Sequence, residues 1–177
     1  MTRTIEGVRI FRGPEGEPDG LLRRFLGDTG SESDFALQRC KDLLIAVTHW
    51  IPAPGERQPT LDDWRARLPD WFVAACAPEL TEAEAAEEMK AWRALDTEGK
   101  ALYEAEHPWT LANWLAWFAW DSDVQRSWRW WDGGVIDDAR FWIDVEVLND
   151  PGAVGSLLWM MRAAGARPVV EVDHPAG

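Results

Sequence analysis

The hydrophobic positions first follow a short strand-like pattern and then, for much of the chain, helical spacing. β-Branched and aromatic residues over 5–12 are followed by Gly13-Pro14, which predicts a first β-strand and a loop. Between residues 31 and 51 the apolar positions recur at helical spacing and favour a helix. The β-branched residues within 43–51 leave a strand there as the alternative.

The middle of the chain predicts a series of helices. Thr81 followed three residues later by Glu84 is a capping box and predicts a helix over 82–95. Acidic residues crowd its first two turns, where the helix dipole favours negative charge. A further helix is predicted over 97–104, and two short helices are predicted on either side of Pro69.

Residues 108–120 are apolar almost all the way round a helix, and a helix of this kind is usually buried. We therefore predict that this segment is the central core helix. Its one stripe of small residues, Ala112, Ala116 and Ala119, would let another helix approach closely.

The hydrophobic period changes to two near residue 126. Residues 126–131 and 140–147 are predicted strands, joined by a turn at Asp132-Gly133-Gly134. A helix over 151–164 and a last strand over 168–173 follow. Strand, helix and strand form a βαβ unit, so the strands on either side of this helix should be parallel neighbours with a right-handed crossover.

These elements predict a single α+β domain over residues 1–177. Its small mixed β-sheet consists of the N-terminal strand and the C-terminal ββαβ layer, and this sheet packs against the Trp-rich helical middle. No repeat and no long Pro-rich linker divides the chain.

The net charge of the protein limits the kinds of partner that it is expected to bind. The 31 acidic and 18 basic residues give a net charge of −13. Ten acidic and three basic residues place −7 of that charge between residues 81 and 125. A surface so acidic repels nucleic-acid phosphates and favours a basic protein partner, or simply solubility. No membrane-length apolar run and no signal peptide is recognisable, so the sequence predicts a cytoplasmic protein that binds no membrane.

Motifs for metal or cofactor chemistry are not recognisable. The three histidines, His49, His107 and His174, lack a second ligand at helical metal-site spacing. Nucleotide-binding glycine patterns, a nucleophile elbow and a zinc-protease pair are missing as well. The sequence therefore predicts neither a metal site nor a cofactor.

The predicted strand 140–147 alternates between two faces. The apolar face carries Phe141, Ile143, Val145 and Val147. The other face carries Arg140, Trp142, Asp144 and Glu146. Glu171, on the strand predicted to be its neighbour, should join Asp144 or Glu146. Such carboxylates beside Arg and Trp suit acid–base catalysis or the binding of a cationic group, and the alternative is a solvated face with cross-strand ion pairs.

Thirteen tryptophans against one tyrosine are unusual. Most lie at helical positions beside other apolar residues and should be core. In a strand, Trp128 and Trp130 share one face, and Trp131 shares the other with Arg129. An exposed Trp beside Arg is a common interface anchor, unless the helical half of the chain covers both faces of the sheet.

Three stretches carry a family resemblance: WRARLPDWF (64–72), WTLANWLAWFAW (109–120) and GSLLWMMRAAGA (155–166). They resemble an uncharacterised family of small acidic Trp-rich actinobacterial proteins, over most of the chain from about residue 35. The family has no assigned activity. The resemblance therefore implies only a bacterial, cytoplasmic setting.

Two function classes remain, with a structural subunit of a larger assembly as a third. The leading hypothesis is a non-enzymatic protein-binding module, such as an immunity or antitoxin protein for a basic partner. Its candidate contact residues are Trp128, Arg129, Trp131, Arg140, Trp142, Asp144, Glu146 and Glu171. The alternative is a small-molecule-binding protein or enzyme with a Trp-lined pocket and the carboxylates of Asp144, Glu146 and Glu171. Exposure of Trp128 or Trp131 would favour the protein-binding module. A concave pocket at Asp144 or Glu146 would favour the small-molecule-binding protein or enzyme. The sequence leaves the oligomeric state open.

Overall fold

A computed structural model of the chain describes residues 2–52, 57–118, 127–148 and 153–173. Eight helices and four strands lie in these ranges. In chain order they are α1 (Thr2–Arg12), β1 (Leu21–Asp28), α2 (Ser33–Trp50), α3 (Leu61–Arg65), α4 (Asp70–Ala75), α5 (Glu82–Ala94), α6 (Thr97–Glu106), α7 (Leu111–Ala116), β2 (Trp128–Val135), β3 (Arg140–Val147), α8 (Gly155–Ala163) and β4 (Val169–Val172).

The four strands form one open sheet in the order β2-β3-β1-β4, and every neighbouring pair is antiparallel. With α2 and α8 these strands follow the β–α–β–β–α–β succession of the split βαβ, or ferredoxin-like, topology. Helices α3–α7 are inserted between α2 and β2, and α1 precedes the first strand. The predicted α+β class is confirmed. Such a topology hosts many functions and identifies none.

The N-terminal part of the sheet differs from the prediction. Residues 5–12 belong to helix α1, because Ile10 enters the core and buried Glu6 accepts a hydrogen bond from the backbone N–H of Trp130. These long-range contacts outweigh the local β propensity of the segment. The first strand of the chain is β1. Its adjacent Arg23 and Arg24 interrupt the alternation of apolar and polar residues that would predict a strand.

Strands β3 and β4 run in the same direction, as predicted, but they are not neighbours. β1 lies between them and pairs antiparallel with both. The sheet is therefore antiparallel at every pairing instead of mixed. The sequence pattern missed this arrangement because β1 had not been recognised as a strand.

The predicted turn at Asp132-Gly133-Gly134 is also wrong. These residues continue β2 beyond an irregularity at Trp131, and the chain reverses at residues 136–139 instead. The glycine at 133 serves close packing: a Cβ there would lie 2.7 Å from the Trp130 ring.

The helical predictions agree better with the structure. Residues 43–51 fall in or next to α2, which ends at Trp50 before Pro52. The capping box at Thr81 is present and begins α5. The predicted core helix over 108–120 is shorter, since α7 ends at Ala116 and residues 119–126 lie outside the described ranges.

The hydrophobic core lies between one face of the sheet and the helices. It contains residues that the sequence pattern predicted to be buried and others that it did not. Phe141, Ile143 and Val145 are fully buried in it, together with residues of α2 and α8. Ser156 of α8 joins two core tryptophans: its carbonyl accepts from Trp114 Nε1 at 3.0 Å, and its Oγ accepts from Trp128 Nε1 at 2.9 Å. The polar atom of each indole is thereby satisfied inside the core.

Candidate functional site

The sheet face opposite the core carries a network of charged and aromatic side chains. The register places Glu146 beside Leu22, Asp144 beside Arg24, and Trp142 beside Leu26. The prediction that Trp142, Asp144 and Glu146 share one face is thus confirmed. We call the network the outer-face cluster, and its members are Arg9, Arg24, Arg129, Trp131, Trp142, Asp144 and Glu146.

Asp144 is almost fully buried and is held by Arg24 of the neighbouring strand. Arg24 Nε lies 2.7 Å from Oδ1 and Arg24 Nη2 lies 2.7 Å from Oδ2, a bidentate pair. The hydrogen bond to Asp144 raises the pKa of the Arg24 guanidinium, which also stacks over the Trp142 ring at 4.1 Å. Both oxygens of Asp144 are therefore engaged by a permanent cation.

Glu146 is fully buried and connects three separate parts of the chain. Its Oε1 accepts hydrogen bonds from the backbone N–H groups of Asp19, at 2.6 Å, and Gly20, at 3.0 Å. Its Oε2 lies 3.6 Å from Arg9 Nη1 and 3.4 Å from Arg129 Nη2. The carboxylate consequently fastens the end of the 13–20 loop, helix α1 and strand β2 to β3.

These contacts resemble structural ion pairs more than a catalytic site. The cross-strand ion pairs weighed from the sequence are present as Arg24–Asp144 and Arg129–Glu146. The carboxylates are buried, however, and not solvated as that alternative supposed. A general base needs an oxygen within reach of a substrate proton. Both oxygens of Asp144 and Oε1 of Glu146 accept hydrogen bonds, and Glu146 Oε2, which accepts none, is buried beside Arg9 and Arg129.

Three of the eight sequence-predicted site residues lie outside the outer-face cluster: Trp128, Arg140 and Glu171. Glu171 does not join Asp144 or Glu146, because its partner in the sheet is Phe25, on the core face. It pairs instead with Arg23, whose hydrogen bond lowers the pKa of the Glu171 carboxyl. Arg140 is exposed and pairs with Asp137 in the β2–β3 turn.

The hypothesis of an exposed Trp anchor required Trp128 or Trp131 to lie at the surface, and neither does. Trp128 lies in the core and is only 1% exposed. Trp131 is on the other face, as predicted, but it is 6% exposed because Arg9 of α1 stacks over its ring at 4.3 Å. Trp142 is half-buried beneath Arg24. None of these tryptophans projects as a free anchor.

The partners that complete the outer-face cluster were missed by sequence reasoning. Arg24 belongs to β1, which was not predicted, and Arg9 belongs to a segment predicted as a strand. Apolar and polar residues do not alternate along β1, because Arg23 and Arg24 are adjacent and therefore lie on opposite faces of the strand.

A second candidate region is the helix pair α5–α6, which we call the acidic helix pair (residues 82–106). It contains eight acidic and three basic residues. No residue of α5 is buried. Two large apolar side chains are exposed on the pair: Met89 at 48% and Leu102 at 57%.

The two helices of this pair hold each other through a few polar and aromatic contacts. Tyr103 donates a hydrogen bond from its hydroxyl to Glu88, and the Lys100 ammonium lies 4.6 Å from the centre of the Trp92 ring. Arg162 of α8 donates to the carbonyl of Glu104 at 2.6 Å. The pair is thus fastened to the sheet domain while its acidic surface stays in solvent.

Tyr103 offers a direct test of the contact between α5 and α6. Burial and the hydrogen bond to the Glu88 carboxylate raise the pKa of Tyr103 to about 12. Tyr103 is the sole tyrosine of the chain, so tyrosinate absorbance near ~295 nm reports on it alone. We expect a titration midpoint about two pH units above that of a free tyrosine, and Glu88→Gln should move it back toward 10.

The raised pKa also has a consequence for stability. Because the fold favours the neutral phenol, the stabilisation is complete below pH 10 and is lost as the pH rises through about 12. A midpoint near 10 in the unmodified protein would show that Tyr103 and Glu88 are not in contact.

The part of the chain that the structure describes contains neither a metal-binding cluster nor a membrane-spanning helix. Within the described ranges, no cluster of three or more His, Cys, Asp or Glu side chains could hold a metal ion. No helix in the same ranges is long and apolar enough to cross a bilayer. Cys40 and Cys76 are both free thiols.

Comparison with known proteins adds no relative. The chain matches no protein-family model, no curated protein and no solved structure. The resemblance to actinobacterial Trp-rich proteins therefore stays a prediction.

Proposed function

We propose that the protein is a non-enzymatic binding module that uses the acidic helix pair to engage a basic protein partner. The observation that carries the proposal is that α5, a helix of 13 residues, buries none of them. Most helices in globular proteins gain their stability by burying an apolar face. A helix that buries no residue in the fold leaves much of its surface available to a partner.

The chemistry of this surface indicates the partner. Its excess of five negative charges should accelerate association with a positively charged protein. Met89 and Leu102 add exposed apolar contacts within the acidic surroundings. Protein interfaces generally combine exposed apolar side chains with polar ones. An immunity or antitoxin protein that neutralises a basic toxin is the concrete form of this proposal.

The alternative, an enzyme or small-molecule-binding protein that uses Asp144, Glu146 and Glu171, has less support. Arg24 engages Asp144, and two backbone N–H groups and two arginines surround Glu146. Glu171 lies on the other face of the sheet. The three carboxylates thus do not converge on one substrate.

A site-specific photo-cross-linker identifies the partner. The cross-linking residue replaces Leu102 in the full chain, and the matched control replaces Phe35, which is similarly exposed at 53% on α2. A basic protein captured from 102 and not from 35 is then purified. Its affinity for the unmodified chain is measured at low and high salt, where screening should weaken the contact.

Two variants that each lose three negative charges test whether the acidic helix pair contacts the basic partner. The first variant carries Glu87→Gln, Glu98→Gln and Glu106→Gln. The matched control removes three exposed charges elsewhere, with Glu15→Gln, Glu17→Gln and Glu32→Gln. We expect the first variant to reduce the association rate constant about tenfold and the control to leave it nearly unchanged. Equal effects would refute the proposed contact surface.

A further inference from the structure

A groove lies between α1 and the C-terminal end of α2, away from the acidic helix pair. Its volume is about 750 Å³, within the usual range of small-molecule sites. Val8 and Phe11 of α1 and Ile45 and Ile51 on the α2 side supply its apolar lining. Phe11 is 78% exposed, the largest exposure among the big apolar side chains of the described residues.

A second, smaller cavity adjoins this groove. Ile51 lines both, so the two cavities meet at that residue. The second cavity measures about 240 Å³ and is lined largely by apolar groups, among them Trp64, Leu115 and Phe118. The small residues Ala112 and Ala116, noted in the sequence as a stripe that a helix could approach, line it as well.

Among the described residues that line it, the groove has one cationic side chain, Arg12, and no carboxylate, although the protein as a whole is strongly acidic. Arg12 and His49 line it. Arg12 takes part in none of the ion pairs found among the described residues. An apolar trough that carries a guanidinium group matches an apolar molecule with an anionic end.

We propose that this trough binds a linear aliphatic carboxylate. Its carboxylate lies at Arg12 and His49, and its hydrocarbon chain crosses Ile51 toward Trp64 and Phe118. A flexible chain fits the 240 Å³ cavity, whereas an α-helix, roughly 10 Å across, is too wide for it. The site is independent of the proposed protein-binding surface, because the two share no residue.

Calorimetric titration of the full chain with sodium laurate, below its micelle concentration, tests the site. Dodecyltrimethylammonium, with a chain of the same length and a cationic head, is the control ligand. We expect saturable binding of one laurate and no comparable binding of the cation. Arg12→Gln should weaken laurate binding about tenfold, while the matched Arg93→Gln on α5 should not change it.

Chain length tests the position of the hydrocarbon. Ala112→Leu fills part of the second cavity, so it should weaken the binding of laurate more than that of octanoate. The matched Ala91→Leu, also at an exposed helical alanine, should affect neither ligand. The proposal fails if laurate does not bind, if the cation binds as well as laurate, or if Arg12→Gln has no effect.

Discussion

Replacement of Glu146 by glutamine is expected to lower the free energy of unfolding by about 3 kcal/mol. The substitution keeps the size of a fully buried side chain but removes its charge. If the amide oxygen continues to accept from Asp19 and Gly20, the amide NH₂ group must face the guanidinium groups of Arg9 and Arg129. Donors then oppose donors, in place of a carboxylate shared by two cations.

Urea denaturation, monitored by tryptophan fluorescence, measures this loss. Glu171→Gln is the matched control, since it removes a carboxylate from an ion pair whose Glu171 side chain is 44% exposed. Exposed pairs contribute little, so the control should cost less than about 1 kcal/mol. Equal destabilisation by both substitutions would mean that Glu146 does not connect α1, the 13–20 loop and the sheet.

A double-mutant cycle with Arg129→Gln can separate the ion pair from the rest of the network. If the two side chains interact, the combined loss should be smaller than the sum of the single losses by about 1 kcal/mol. Glu146→Gln should also loosen α1, because Arg9 loses its anionic partner. Faster amide hydrogen exchange in α1 would show this effect.

Replacement of Trp114 by alanine should cost about 4 kcal/mol, the other large effect expected in this protein. Trp114 is fully buried, and its ring contacts Phe72 and Phe118 with centroid distances of 4.5 Å in each case. Truncation leaves a cavity between α4, α7 and the core. It also removes the donor that satisfies the carbonyl of Ser156.

Thermal and urea unfolding measure this loss against Trp92→Ala, which truncates a half-exposed indole on α5. We expect the control to cost less than about 1 kcal/mol. Trp114→Phe keeps most of the ring volume and removes the hydrogen bond, so it should have an intermediate effect. A result in which Trp92→Ala is the more damaging change would place the helical core around α5 instead of α7.

The correct predictions from sequence rest on short-range chemistry. The capping box of Thr81 and Glu84 lies within four residues and begins α5 whatever the rest of the chain does. β3 was predicted with its observed bounds because its alternation follows from strand geometry alone. The acidic character of residues 82–106 is likewise fixed by composition.

The errors arose where distant residues decide the outcome. α1 is a helix because Ile10 and Glu6 meet the core and β2, the latter through a contact 124 residues away in the chain. Glu171 lies on the core face because β1 separates β3 from β4. A shift of one residue in the pairing of two strands moves every side chain to the opposite face of the sheet. The local sequence pattern does not determine which residues pair.

In the candidate site, too, some features follow from the local sequence and others depend on residues far apart in the chain. Alternation along a strand is a local property, so the amino-acid pattern of β3 already places Trp142, Asp144 and Glu146 on one face. That Arg24, Arg9 and a loop cover this face depends on folding, since the loop backbone that reaches Glu146 is 127 residues away in the chain. The reason is physical: a buried carboxylate is stable only beside its donors and cations, and those groups come from parts of the chain that folding alone brings together.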